Sequence, residues 1–168
     1  IAGSGQIGTQ QIAITNAGLI VANQATELVV DPNATGMINT GTLRATNSAT
    51  LTLTGNGGGG FPNTGGTIEA QAGSFVRLVD GVVITGGTLT TSGSGIVLTP
   101  SGGASQNAAT LDSVTVSSGS RFVGADNSGE LTFTSNSAPN ITEILTNTAS
   151  ARRVIGVAAY TTRYSWNS

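Results

Sequence analysis

One short phrase of glycine, threonine and asparagine recurs along the chain, and it constrains the fold more than any other feature. The phrase reads NTGTLRA from Asn39, NTGGTIEA from Asn63 and ITGGTLTT from Ile84, and a related phrase, NAGLIVA, begins at Asn16. The starting points are separated by 23, 24 and 21 residues. A repeat of this length is typical of one coil of a solenoid, in which each repeat contacts only its neighbours.

Each repeat also has an internal pattern of short alternating segments. In the copy that begins at Asn63, apolar and polar residues alternate over Ile68–Ala70 and again over Phe75–Leu78, with the turn residues Gly73 and Ser74 between them. An alternation with a period of two predicts half-buried strands, here with Ile68 and Ala70 pointing inward. Glycine and asparagine suit the corners because they tolerate positive φ. We therefore expect strands and corners, with almost no helix.

The sequence predicts an all-β fold, a parallel β-helix (β-solenoid) of about six or seven coils over residues 1–150. This count includes looser copies of the repeat near residues 5–14, at Ala109 and at Asn127. Stacked coils bury apolar rows that a single repeat cannot bury, and at about 4.8 Å per coil they would form a rod about 30 Å tall. A β-sandwich is the alternative, but its strands do not usually repeat one phrase in register.

The composition excludes several classes of function. The chain has no Cys and no His, and all six of its basic residues are Arg. A disulfide scaffold, a thiolate zinc site, a cysteine nucleophile and the usual histidine base are therefore all excluded. A net charge of −2 provides no electrostatic footprint for nucleic acid. We expect no cofactor, no metal and no nucleic-acid partner. We also expect no membrane span in this segment, because no apolar run approaches the roughly 20 residues that a span needs.

The carboxylates are the remaining candidates for catalysis, and their spacing does not place a catalytic pair. Glycoside hydrolysis needs two carboxylates about 5–10 Å apart. We expect Glu69 to face Arg77 as a solvated surface ion pair, worth about 0–1 kcal/mol. The same is expected of Arg121 and Asp126. The segment GADNSGE at 124–130 has too few acids for a calcium loop and predicts a turn. We assign no catalytic, cofactor-binding or metal-binding residue.

Two segments interrupt the repeat, and two tripeptides match a modification motif. The segments GNGGGGFPN at 55–63 and PSGGASQNAA at 100–109 are predicted to be loops, the first of them flexible. The glycine run is not a phosphate-binding loop, since such a loop ends in Gly-Lys and the chain has no Lys. Asn33-Ala-Thr and Asn140-Ile-Thr match the N-glycosylation sequon. Chance matches are expected in a chain so rich in Asn and Thr.

The C-terminal stretch at 151–168 has a different character and is predicted to form a separate cap, interface or linker segment. It contains half of the Arg residues, both Tyr residues and the only Trp. The end of a solenoid needs a cover because it exposes unpaired strand edges. Tyr160, Tyr164 and Trp166 are the candidate contacts, either to a subunit interface or to the ring of a glycan.

The phrases NTGTLRA, NTGGTIEA and ITGGTLTT resemble the β-helical repeats of bacterial filamentous-haemagglutinin-like adhesins and autotransporter passengers, over roughly residues 1–135. The resemblance implies a right-handed parallel β-helix, export, and a surface or adhesive role. We accordingly expect a secreted or cell-surface, non-enzymatic rod segment. Its expected partners are other copies of itself or host and surface glycans. Because Ile1 opens the chain directly, we also expect a processed or excised piece of a longer protein.

Two other functions remain open at this point. One is a β-helical polysaccharide lyase or a phage tailspike-like depolymerase, which would need at least two convergent acids with Arg nearby. The other is a glycan-binding module that uses the aromatic residues of the C-terminal stretch.

Overall fold

The computed structural model of the chain describes residues 1–100 and 109–124, together with the backbone of strands at 131–134, 143–146 and 162–164. Every regular element in these residues is a β-strand. Within them, no helix has the length and apolar character of a membrane span.

The strands are short, mostly three to five residues. The first twelve are β1 (Ala2–Gly3), β2 (Gly5–Ile7), β3 (Ile14–Asn16), β4 (Leu19–Ala22), β5 (Leu28–Val30), β6 (Met37–Asn39), β7 (Thr42–Ala45), β8 (Thr50–Thr54), β9 (Phe61–Pro62), β10 (Thr67–Ala70), β11 (Phe75–Val79) and β12 (Val82–Thr85). The others are β13 (Thr88–Thr91), β14 (Ile96–Thr99), β15 (Ala109–Asp112), β16 (Thr115–Val116), β17 (Arg121–Gly124), β18 (Leu131–Thr134), β19 (Glu143–Thr146) and β20 (Thr162–Tyr164).

These strands wind into a parallel β-solenoid with three faces. Face A stacks β1-β4-β7-β10-β13-β16, and face B stacks β2-β5-β8-β11-β14-β17-β19. Face C stacks β3-β6 and then β9-β12-β15-β18; its two sheets meet where the Met37 N–H donates to the Gly60 carbonyl at 2.9 Å. The predicted all-β parallel solenoid is confirmed. The described coils make about five turns, against the six or seven expected from the looser repeats.

The repeated phrase sets the vertical register of face A. Thr67 lies between Thr42 below and Thr88 above, and Ile68 lies between Leu43 and Leu89 in the same way. Ile68, Leu43 and Leu89 are all fully buried. Each coil therefore places the same kind of side chain over its counterpart, which is why the phrase recurs.

The core is one continuous set of aliphatic rows running along the axis. It fills the space between the three faces with Leu, Ile and Val, together with a few Phe and Ala side chains, and most of these residues are fully buried. Ile68 and Ala70, which the alternation predicted to point inward, both belong to it. Burying a Leu or Ile side chain contributes about 1.5–3 kcal/mol. Since neighbouring rows touch, the stack is stabilised as a unit.

The glycine run is a packed corner and not the flexible loop predicted from its composition. Residues 55–60 turn the chain from face B to face C, in the same place as residues 8–13 and 31–36 in the two coils before. A methyl group at Gly59 would overlap the carbonyl oxygen of Asn33 in the coil below. Glycine is required here because it lets two backbones approach closely. Of the other predicted loop, residues 101–108 lie outside the described part of the chain.

We predict opposite effects of alanine at two adjacent glycines of this corner. Gly59→Ala should lower the free energy of unfolding by about 1–3 kcal/mol, because its methyl group has no room. A methyl group at Gly60 would lie 3.4 Å from its nearest atom, which is ordinary contact. Gly60→Ala should therefore leave the free energy of unfolding unchanged or raise it by up to about 1 kcal/mol, because alanine lowers the conformational entropy of the unfolded chain. Urea unfolding followed by circular dichroism measures both. Equal losses at the two positions would contradict a packed corner.

The corner between faces A and B is also built from small residues, which include Ala49, Ser74 and Ser120. Ala49 lies below Ser74, and the Phe75 N–H donates to the Ala49 carbonyl at 3.0 Å. Ser74 is fully buried, yet its hydroxyl has no hydrogen-bond partner among the described residues. Ser120, which is also buried, accepts a bond from the Thr91 N–H at 3.2 Å. The two serines thus have the same burial and different hydrogen bonding.

Alanine replacement should change the free energy of unfolding in opposite directions at the two serines. Ser74→Ala should raise the free energy of unfolding by about 1 kcal/mol, because an unsatisfied buried hydroxyl is removed and Ala49 already occupies the matching place. Ser120→Ala should lower it by about 1–3 kcal/mol, because the Thr91 N–H loses its acceptor. The measurement is thermal or urea unfolding of the two variants. A loss of stability in Ser74→Ala would show that its hydroxyl has a partner.

Candidate functional surfaces

Face A carries an ion pair between adjacent coils. Arg44 of β7 and Glu69 of β10 are register partners, and the Arg44 Nε lies 2.7 Å from the Glu69 Oε2. The other Glu69 oxygen accepts a bond from Gln71 Nε2 at 3.2 Å. Both carboxylate oxygens are thus occupied by neighbouring side chains. At partial exposure such a pair contributes about 0–1 kcal/mol, so it is a structural surface contact.

Face B carries a second polar contact, which spans three coils. Glu27 Oε2 accepts a bond from Thr52 Oγ1 at 2.7 Å and from Arg77 Nη1 at 3.0 Å. The predicted pairing of Glu69 with Arg77 is therefore wrong. Glu69 lies on face A and Arg77 on face B, and each pairs along the axis, where neighbouring coils bring side chains together.

The corner between faces B and C holds two aspartates that belong to different coils. Asp31 and Asp80 lie there two coils apart, about 10 Å by strand spacing, with Thr54 between them. Thr54 Oγ1 donates to Asp80 Oδ2 at 2.7 Å, and Asp31 Oδ1 is buried with no partner among the described residues. The nearby Arg77 is engaged by Glu27. A polysaccharide lyase would need an unpaired basic side chain beside the two aspartates. Arg77 is not such a group, because Glu27 pairs with it.

Metal-binding groups do not gather in the described part of the chain. Across residues 1–100 and 109–124, no three His, Cys, Asp or Glu side chains come close enough to hold a metal ion. The segment 124–130 and the expected pair of Arg121 with Asp126 involve residues outside the described ones.

A ladder of buried asparagine side chains runs along the corner between faces C and A. Asn16, Asn39 and Asn63 are each buried. Asn16 Nδ2 donates to Asn39 Oδ1 at 2.7 Å, and Asn39 Nδ2 donates to Asn63 Oδ1 at 2.6 Å. The ladder ends where Asn63 Nδ2 donates to the Gly86 carbonyl at 3.3 Å. Each amide thus bonds to the next coil, which fixes the vertical register.

Sequence reasoning expects stacks of Thr and Asn along the axis, but it names no residues for them and assigns asparagines at corners to positive φ. None of the three has a positive φ; among the described asparagines that conformation occurs at Asn47, with φ 58°. The fourth phrase departs from the others at this point. Ile84 stacks on Phe61 and not on Asn63, so the amide row has no fourth member. The sequence feature that could have predicted the ladder is the recurrence of Asn at spacings of 23 and 24 residues.

Breaking the ladder in its middle should destabilise the solenoid strongly. Asn39→Ala leaves the buried Asn63 Oδ1 without its donor, at about 1–3 kcal/mol. It also removes the 2.7 Å bond of Asn16 Nδ2, which keeps bonds of 3.3 Å to the Gly18 and Thr42 carbonyls. We expect a loss of about 2–4 kcal/mol in the free energy of unfolding. Asn23→Ala is the matched control, because the Asn23 side chain bonds only an exposed neighbour, Gln24, and should change stability by less than about 0.5 kcal/mol. Comparable effects of the two variants in urea unfolding would count against the ladder.

The aromatic candidates lie mostly outside the described residues. Tyr160 and Trp166 are not described. Tyr164 belongs to β20, which pairs with β18, with Tyr164 opposite Leu131. This is the one antiparallel pair among the described strands. The predicted interface or glycan role of these three residues stays a prediction, as does the division of the chain at residue 150.

Comparison of the chain with models of known protein families, with curated proteins and with solved structures finds no match in any of the three. The resemblance to adhesin and autotransporter repeats therefore stays a prediction from the repeat phrases.

Proposed function

We propose that this chain is a non-enzymatic structural or adhesive protein of the cell exterior, a β-solenoid rod segment. It would serve either as part of a surface adhesin or as the subunit of a self-assembling surface filament. The observation that carries the proposal is the uninterrupted stack. Aliphatic rows continue from coil to coil between three parallel faces, and the asparagine ladder joins three consecutive coils.

The proposed role is mechanical. A force along the rod axis pulls on every inter-coil backbone bond of a coil at the same time, so the load is shared among the three faces. The amide ladder adds a side-chain bond at each step that it spans. The outer faces carry few charges, and Arg44 and Arg77 are both paired with Glu residues. Low net charge leaves little repulsion to oppose packing of one rod on another.

End-to-end addition is the proposed mode of assembly. At the first coil, β1, β2 and β3 are each the outermost strand of their sheet. An outermost strand offers backbone N–H and C=O groups to a further strand, whichever chain supplies it. The expected partners are accordingly other copies of the solenoid, with host or surface glycans as the targets of an adhesin.

Electron microscopy and fibre diffraction of the purified chain test this proposal. We expect single rods that join into fibres as concentration rises, since the strand edges can pair. Aligned material should give a reflection at about 4.8 Å along the rod axis, because the strands lie across that axis. Particles that stay monomeric and capped at high concentration would remove the filament role and leave only the rod.

The enzymatic alternative has its own test. The purified chain is incubated with a panel of acidic and neutral polysaccharides, and new reducing ends and unsaturated products are measured. We expect none. Depolymerisation that is lost in both Asp31→Asn and Asp80→Asn, at unchanged stability, would replace the structural proposal by an enzyme at the corner of faces B and C.

A further inference from the structure

One of the two sequons in the chain lies on an exposed corner of the solenoid. Asn33-Ala34-Thr35 belongs to the corner 31–36 between faces B and C. Ala34 and Thr35 are exposed, and Asn33 is half-buried. The other sequon, at Asn140, lies outside the described residues. The two motifs carry equal weight in the sequence, and the first has surroundings that the structure describes.

The Asn33 side chain is held in a turn that leaves its amide nitrogen weakly bonded. Its Oδ1 accepts a bond from the Thr35 N–H at 3.0 Å. Its Nδ2 lies 3.5 Å from the Gln11 carbonyl, at the outer limit of a hydrogen bond. In the buried ladder, by contrast, Asn39 Nδ2 donates at 2.6 Å. A bond to Oδ1 draws electrons toward oxygen and makes the Nδ2 protons easier to remove.

The backbone of the corner is held by hydrogen bonds, and Ala34 and Thr35 are exposed. The Asn33 N–H donates to the Ile12 carbonyl at 2.9 Å, and the Gly36 N–H donates to the Asn33 carbonyl at 2.8 Å. The corner stacked above is the glycine run 55–60, in which Gly57 and Gly59 carry no side chain to cover Asn33. The Ile12 side chain of the coil below is 54% exposed beside this position.

We propose that Asn33 is an acceptor site for N-linked glycosylation, with a pyrophosphate-activated oligosaccharide as the donor. The Asn33 Nδ2 forms a bond to the anomeric carbon of the donor, and the bond from that carbon to the pyrophosphate oxygen breaks. The carrier pyrophosphate leaves with the electron pair, and the Nδ2 proton passes to a base of the transferring enzyme. Thr35 supplies the hydroxyl that such an enzyme reads. The first sugar would lie over the exposed Ile12 side chain.

In a cell, glycosylation of Asn33 requires the export that is part of the proposed function. The ability of Asn33 to accept a glycan can be tested with the purified chain, independently of export. The folded chain of 168 residues is incubated with a single-subunit oligosaccharyltransferase that reads the three-residue sequon and with its polyprenyl-pyrophosphate-linked oligosaccharide. Glycopeptides are mapped by mass spectrometry before and after enzymatic release of the glycan in heavy-oxygen water, which marks each modified Asn.

We expect a glycan at Asn33 in the wild-type chain and in Thr35→Ser, and its loss in Thr35→Ala and in Asn33→Gln. Circular dichroism of each variant is the control for folding, and each should give the spectrum of the wild-type chain. An unmodified Asn33 in a reaction that glycosylates a sequon peptide, or that glycosylates Asn140, would overturn the proposal. So would modification of Asn33 only after the chain is unfolded in urea. Because the rod and fibre measurements use the unglycosylated chain, they fail or succeed independently of this result.

Discussion

The constraint on which the rest of the structure depends is the distance between coils. Parallel strands bonded edge to edge lie about 4.8 Å apart, so every residue meets its counterpart one coil away at a fixed separation. This distance allows aliphatic side chains to stack in rows, as Leu43, Ile68 and Leu89 do. It allows amides to bond in a line. It also excludes a Cβ where two corners touch, which explains the glycine at position 59.

The same constraint determines how the few charges are used. Residues one coil apart are adjacent in space although more than 20 residues separate them in the chain. Arg44 meets Glu69 in this way, whereas Arg77 reaches Glu27 across two steps with Thr52 between. These contacts run along the axis and occupy the carboxylates with neighbouring side chains.

The faces and the corners of the solenoid have different freedom. The inward positions of a face must match the coil below, which restricts them to aliphatic side chains such as Leu43 and Ile68. Corners match only where their backbones touch, so their outward residues vary. The corner between faces B and C accordingly holds a sequon at Asn33, a glycine run at 55–60 and the carboxylate of Asp80.

The sequence by itself determined the repeat, the period-two strands, the solenoid class and the inward positions of Ile68 and Ala70, because these depend on local pattern and composition. Only the tertiary structure decided which residues meet. It placed Glu69 and Arg77 on different faces, joined the buried asparagines into one ladder and packed the glycine run against Asn33. The reason is physical: a change of one or two residues in a corner shifts the register of the next strand, and that shift is fixed only when the coils are stacked. Ile84 resting on Phe61, and not on Asn63, is the direct example.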